Sequence, residues 1–246
     1  MGFERSVWAI VSVGMLAACQ PSAYPAAGPA AIPAPMPAVI LPLPDGRLSP
    51  EQAARNFVAV VQRVEPVAEA MCRERTPRSN CDFEIVVDDR PNQPPNAFQT
   101  LDRSGRPIVG FTLALIADAR NVDEIAFVVG HEAAHHIAGH IPQVQRTATT
   151  GAVLAGVLAQ ASGAPPEAVR AAQQMGATMG ARTYARDFEL EADALGAEIA
   201  FRAGFDPLRG ASFFDRLPDP GDQFLGSHPP NAQRKENVRR VVAGLR

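Results

Sequence analysis

Two periods of hydrophobic and polar positions divide this chain. From Ser49 onward, Phe57, Val60, Val61 and Val64 recur three and four apart, the spacing of a helix with one face in a core. Ser49-Pro50-Glu51-Gln52 supplies its start, with serine as cap, proline at the first helical position and Gln52 closing a capping box. Pro66 is expected to kink or end this helix. Phe83, Ile85 and Val87 alternate with Asp82, Glu84 and Val86, which predicts a half-buried strand. Beyond the proline-rich turn at 91–95, residues 96–101 and 106–112 read as two further short strands joined by Ser104-Gly105, and a short helix follows over 113–119. Asn121, with Glu124 three residues on, caps a helix whose buried side is Ile125, Val128, Val129 and Ile137 and whose end Pro142 marks. Residues 147–163 are small and apolar but too few to span a membrane, so a helix or flexible flap packed by its small residues beside the functional site is expected. A helix from about 184 runs to Ala203 and closes at Gly204.

The first residues follow neither period. Arg5 precedes an apolar run, Val7 to Ala18, that is shorter than a bilayer span and ends in Leu16-Ala17-Ala18-Cys19. This tetrad resembles a bacterial lipobox, which predicts a signal peptide over 1–18 and lipidation of Cys19. An ordinary cleaved signal peptide is the alternative; a single-pass anchor fits the short run poorly. Gln20 is not the aspartate that retains such lipoproteins at the inner membrane, which favours the periplasmic face of the outer membrane. Residues 19–48 are rich in proline and alanine and nearly uncharged, a semi-rigid tether that cannot bury a core. The folded domain is therefore placed at 49–246. In an oxidising periplasm Cys72 and Cys81 are natural disulfide partners. The formal charge of −3 and the absence of any basic run give no support to nucleic acid binding.

Four of the five histidines lie within ten residues, in His131-Glu132-Ala133-Ala134-His135-His136 and at His140. On a helix, His131 and His135 share a face and can offer nitrogens to one metal ion, while Glu132 is turned away and can reach a water without being a ligand. Two His ligands and a carboxylate base are the elements of zinc-assisted peptide hydrolysis. His136 and His140 share that face poorly, so structural or outer hydrogen-bonding roles are expected of them. Glu189 and Asp193 stand four apart on the later helix. A carboxylate at 189 would complete a His2Glu site with one open position. Asp193 would accept the outer N–H of a ligand histidine. Glu191 is the rival third ligand, two residues off and pointing elsewhere.

The stretch Glu124 to His135, followed by Glu189-Leu190-Glu191-Ala192-Asp193, resembles the M48 zinc metallopeptidases, and most nearly their periplasmic lipoprotein and outer-membrane quality-control members. Ala203-Gly204-Phe205-Asp206-Pro207 and Ser227-His228-Pro229-Pro230, with Arg234 six residues after the histidine, agree with it. The resemblance implies one zinc ion per chain held by His131, His135 and Glu189, with Glu132 as general base and Asp193 supporting a ligand. It places His228 near the catalytic centre, where it could bind the oxyanion or occupy the open metal position, and Arg234 where it would orient that loop or the substrate. The fold implied is α+β, a mostly helical zincin-type domain with a small sheet beside the active helix. The chain carries no multi-helix membrane region and no tetratricopeptide array, unlike some relatives.

The activity expected is that of a metalloendopeptidase cleaving unfolded or flexible polypeptides at the periplasmic face of the envelope. Substrate would pair as a strand along a sheet edge in the 96–112 region. The competing reading is a non-catalytic chaperone or assembly lipoprotein that holds outer-membrane proteins in the same groove.

Overall fold

The computed structural model describes residues 47–219 and 228–245. The expected leader, Cys19 and the tether up to residue 46 lie outside the described residues. From Leu48, which is itself buried, the chain builds α1 (Pro50–Arg75), β1 (Glu84–Asp88), β2 (Ala97–Leu101), β3 (Pro107–Thr112), α2 (Leu113–Asp118) and α3 (Val122–Ile137). It continues through α4 (His140–Ala161), α5 (Pro166–Arg182), α6 (Ala185–Arg202), the short α7 (Pro207–Gly210), a 3-10 turn over Ala211–Arg216, and α8 (Asn231–Leu245). This is a mostly helical α+β domain with one small mixed sheet.

Helix α3 is the centre of the packing. Thirteen of its sixteen residues are buried, so it is enclosed on all sides rather than amphipathic. One side meets α1, another α6, its N-terminal end α7 and the 3-10 turn, and β2 runs alongside. Phe127 lies edge-on to Phe214 of the 3-10 turn, and across the α1 side Phe57 meets Phe111 of β3 with ring centroids 5.1 Å apart. Burying rings of this size stabilises by about 1.5–3 kcal/mol each.

A helix enclosed this way must neutralise its own polar groups. Asn121 caps it, its side chain accepting from the backbone of Asp123 and Glu124. The capping box is only half formed, because Glu124 accepts from Arg120 N at 2.9 Å and from Arg216 at 2.7 and 2.9 Å instead of turning back to Asn121. Asp123 is buried too and pairs with Arg209 and the backbone N–H of Asp206. Gln52 likewise leaves its box half closed, donating to Asn56.

Two proline readings are corrected. Pro66 sits inside α1, which runs on to Arg75 on an exposed side where the lost backbone bond can be replaced by water. Pro142 does not end α3: that helix closes at Ala138 and Gly139, whose φ of 68° only glycine adopts freely, and Pro142 falls in the first turn of α4, where its missing N–H costs nothing. The sheet order is β1-β3-β2, with β3 parallel to β1 and antiparallel to β2. Strand β3 is therefore paired on both sides, and of the 96–112 region only β2 offers a free edge. Residues 147–163 form most of α4, folded as an antiparallel hairpin on α5, a helix the sequence pattern had not suggested. Cys72, at the end of α1, is joined to Cys81 with their Cα atoms 5.7 Å apart.

Candidate metal centre

Helices α3 and α6 meet at two glycines. A Cβ on Gly130 would stand 2.7 Å from the Gly196 carbonyl oxygen, and one on Gly196 would stand 2.7 Å from His131 N. Only hydrogen at both positions lets the backbones approach this closely, and that approach brings the α6 carboxylates to the α3 histidines.

At the crossing, His131 Nε2 and His135 Nε2 are 3.1 Å apart, Glu189 Oε1 is 3.4 Å from His135 Nε2, and Glu189 Oε2 is 3.7 Å from His131 Nε2. These three residues can hold one metal ion, their ligand atoms lying within 4.8 Å of one another. Glu132, next to His131 on α3, is buried, and burial pushes its carboxyl above the ordinary carboxylate range against the pull of His131 and His135. Glu189 behaves oppositely. Its burial opposes ionisation, but His135 and His228 bond to it and His131 and Arg234 add positive charge, so it is held far below the usual range.

Outer contacts hold each of these three side chains. His131 Nδ1 faces Asp193 Oδ1 at 3.0 Å, and Asp193 is fully buried. Arg234, from α8, grips Asp193 through two bonds of 2.6 and 2.7 Å and reaches Glu189 Oε2 at 3.2 Å. His228 Nδ1 lies 3.0 Å from the same Glu189 oxygen while half its side chain faces solvent.

His135 is braced by His140, in the outer hydrogen-bonding role expected of it, and by Glu191 behind that ring. Its Nδ1 is 2.8 Å from His140 Nδ1, and His140 Nε2 is 3.2 Å from Glu191 Oε2, with the His140 ring stacked on Phe188. Glu191 thus serves His140 rather than the metal position. His136 turns the other way, to the Asn80 carbonyl at 2.7 Å and the edge of Phe83, a structural role. Two cavities flank the centre and share Glu132, His135, Glu189 and His228. One, of about 490 Å3, is bounded by Gln99, Val144 and Phe188; the other, of about 310 Å3, by Ala97, Phe127 and Phe213. Strand β2 borders both, through Gln99 on one side and Ala97 on the other.

Residues 56–242 match the family model described as "Peptidase family M48". This chain belongs to peptidase family M48. It is 36% identical over 123 residues to a putative beta-barrel assembly-enhancing protease of Vibrio cholerae, covering 47% of this chain and 25% of that protein. It is 31% identical over 146 residues to the beta-barrel assembly-enhancing protease of Escherichia coli, covering 54% of this chain and 30% of the relative. A mitochondrial metalloendopeptidase OMA1 of Arabidopsis thaliana matches at 30% identity over 133 residues, covering 52% and 26%. The matched segments thus span between a quarter and a third of the length of these curated relatives. No solved structure matches.

Proposed function

We propose that this M48 protein is a zinc-dependent endopeptidase, cleaving unfolded or flexible polypeptides at the periplasmic face of the envelope, where lipidated Cys19 tethers it to the outer membrane. The observation that carries the reading is the convergence of two imidazole nitrogens and one carboxylate beside a buried glutamate. Donors on a tetrahedron around zinc stand about 3.3 Å apart, given zinc–ligand distances of 2.0–2.1 Å. The separations here, 3.1, 3.4 and 3.7 Å, suit a single such ion held by His131, His135 and Glu189. Zn2+ bound there would supply Lewis acidity, polarising a carbonyl oxygen and lowering the pKa of water so that its hydroxide form can attack.

The remaining work falls to side chains of this chain. Glu132, whose burial raises its proton affinity, takes the proton from water and returns it to the leaving amine. His228, exposed beside Glu189, hydrogen-bonds the developing oxyanion. Asp193 fixes the His131 ring, and Arg234 fixes Asp193. An extended substrate pairs with the free edge of β2, which recognises backbone and reads little side-chain identity, so unfolded clients of varied sequence suit the groove.

Purified wild type, Glu132→Gln and Glu189→Ala are compared for bound zinc and for cleavage of reduced casein. One zinc per chain in the first two, much less in the third, and activity in wild type alone is the expected outcome. Equal zinc in all three would remove Glu189 as ligand. Activity surviving Glu132→Gln would overturn the base assignment. Zinc without cleavage in wild type would favour the chaperone reading.

A further inference from the structure

The α4–α5 hairpin has its side chains sorted the wrong way round for water. Its seam is made of the smallest residues: a Cβ on Gly151 would stand 2.1 Å from the Gly176 carbonyl oxygen, and one on Gly180 would stand 2.1 Å from that of Thr147. The bulky apolar residues point outward instead. Val153, Leu154, Val157 and Leu158 of α4 are 59, 59, 57 and 62% exposed, and Met175 and Met179 of α5 are 65 and 49% exposed. From Thr147 to Pro166, twenty consecutive residues carry no ionisable side chain.

We infer that this hairpin docks into the apolar boundary of a lipid bilayer through the outer face of α4. Small residues at a helix seam with large apolar ones outside is the arrangement of helices packed within lipid, where no water drives bulky side chains inward. At 100° per residue, the four exposed α4 side chains spread over an arc of about 140° on the side away from α5. A flat protein partner, including a second copy of this chain, covers one such flank and supplies a polar rim; a fluid acyl boundary wraps the whole arc. No described helix is long and apolar enough to cross a membrane, and Glu167 and Arg170 keep the start of α5 in contact with water. The hairpin therefore lies in the interface without spanning it. Arg146 and Arg182, at the hairpin's base, are exposed where anionic headgroups would meet them.

The test places a fluorophore on a single cysteine introduced by Leu154→Cys or Leu158→Cys in the full chain, with Ser104→Cys, on the exposed turn before β3, as the control. Each is mixed with phosphatidylethanolamine–phosphatidylglycerol vesicles whose acyl chains carry bromine, a contact quencher. Emission is expected to fall by about half or more at 154 and 158, relative to unbrominated vesicles, and to stay unchanged at 104, as burial of a helix face at the acyl boundary requires. Equal quenching at all three positions would reflect tethering alone and would overturn the proposal, as would no quenching anywhere. Cross-linking between copies through 154 without quenching would reassign the face to self-association. None of these readings depends on peptidase activity, so the hairpin proposal and the enzymatic one fail separately.

Discussion

The brace behind His135 shows how single residues set the candidate centre. If His135 offers Nε2 to a metal, its Nδ1 carries the proton and donates to His140 Nδ1; His140 Nε2 then carries a proton and donates to Glu191. His140→Ala removes the partner that holds the ring. Metal affinity measured by competition with a chelator is expected to fall roughly ten- to a hundredfold. Glu191→Gln should do less, since its side chain is 59% exposed and water can replace it. The Arg234–Asp193 pair carries a different risk. Arg234→Met leaves a fully buried carboxylate without its cation, and urea unfolding is expected to show a loss of about 3–5 kcal/mol. His131, His135, Glu132, Glu189 and Asp193 were all visible as helical spacings, because each sits on a face that the period defines. For His140 an outer hydrogen-bonding role was legible, but not that His135 is its partner. On a continuous helix it would stand about 140° from His135; it reaches back only because Gly139 breaks the helix between them.

Among elements, the decisive contact is the glycine crossing of α3 and α6. Gly130→Ala pushes a methyl into the Gly196 carbonyl, so the helices must separate. Overpacking of this kind costs about 1–3 kcal/mol. Thermal unfolding should report that loss, and zinc content should fall with it, because Glu189 is carried away from the histidines. The strands, α2 and the starts of α1 and α3 were legible to within a residue or two, since each has local punctuation: Ser49-Pro50, the 91–95 prolines, Asn121. Helices α5, α7 and α8 escaped notice. Their cores are made of small or few apolar residues, and α8 is recognised chiefly through Arg234, Val238 and Val242, which become buried only once α6 and the 3-10 turn are in place. The proline at 66 misled for a related reason: tertiary packing of α1 against α3 outweighs one missing hydrogen bond.

At the scale of the molecule, the Cys72–Cys81 bridge joins the end of α1 to the loop whose Asn80 carbonyl holds His136. Closing a loop with a sequence separation of 9 restricts the unfolded chain, and on the chain-entropy account its reduction should lower stability by about 2.5–3 kcal/mol. Unfolding midpoints with and without reductant measure this. Both sulfur-bearing residues are buried, so reduction should be slow until the protein opens. The same wide view gives the α4–α5 hairpin a consequence in time. It is inserted in the chain between the two histidines and Glu189, and Arg234 follows 45 residues after Glu189. A polypeptide emerging amino terminus first therefore displays its paired histidines and Glu132 before Glu189 exists to join them. Only when the last helix has been delivered and Arg234 has closed on Asp193 is the centre whole.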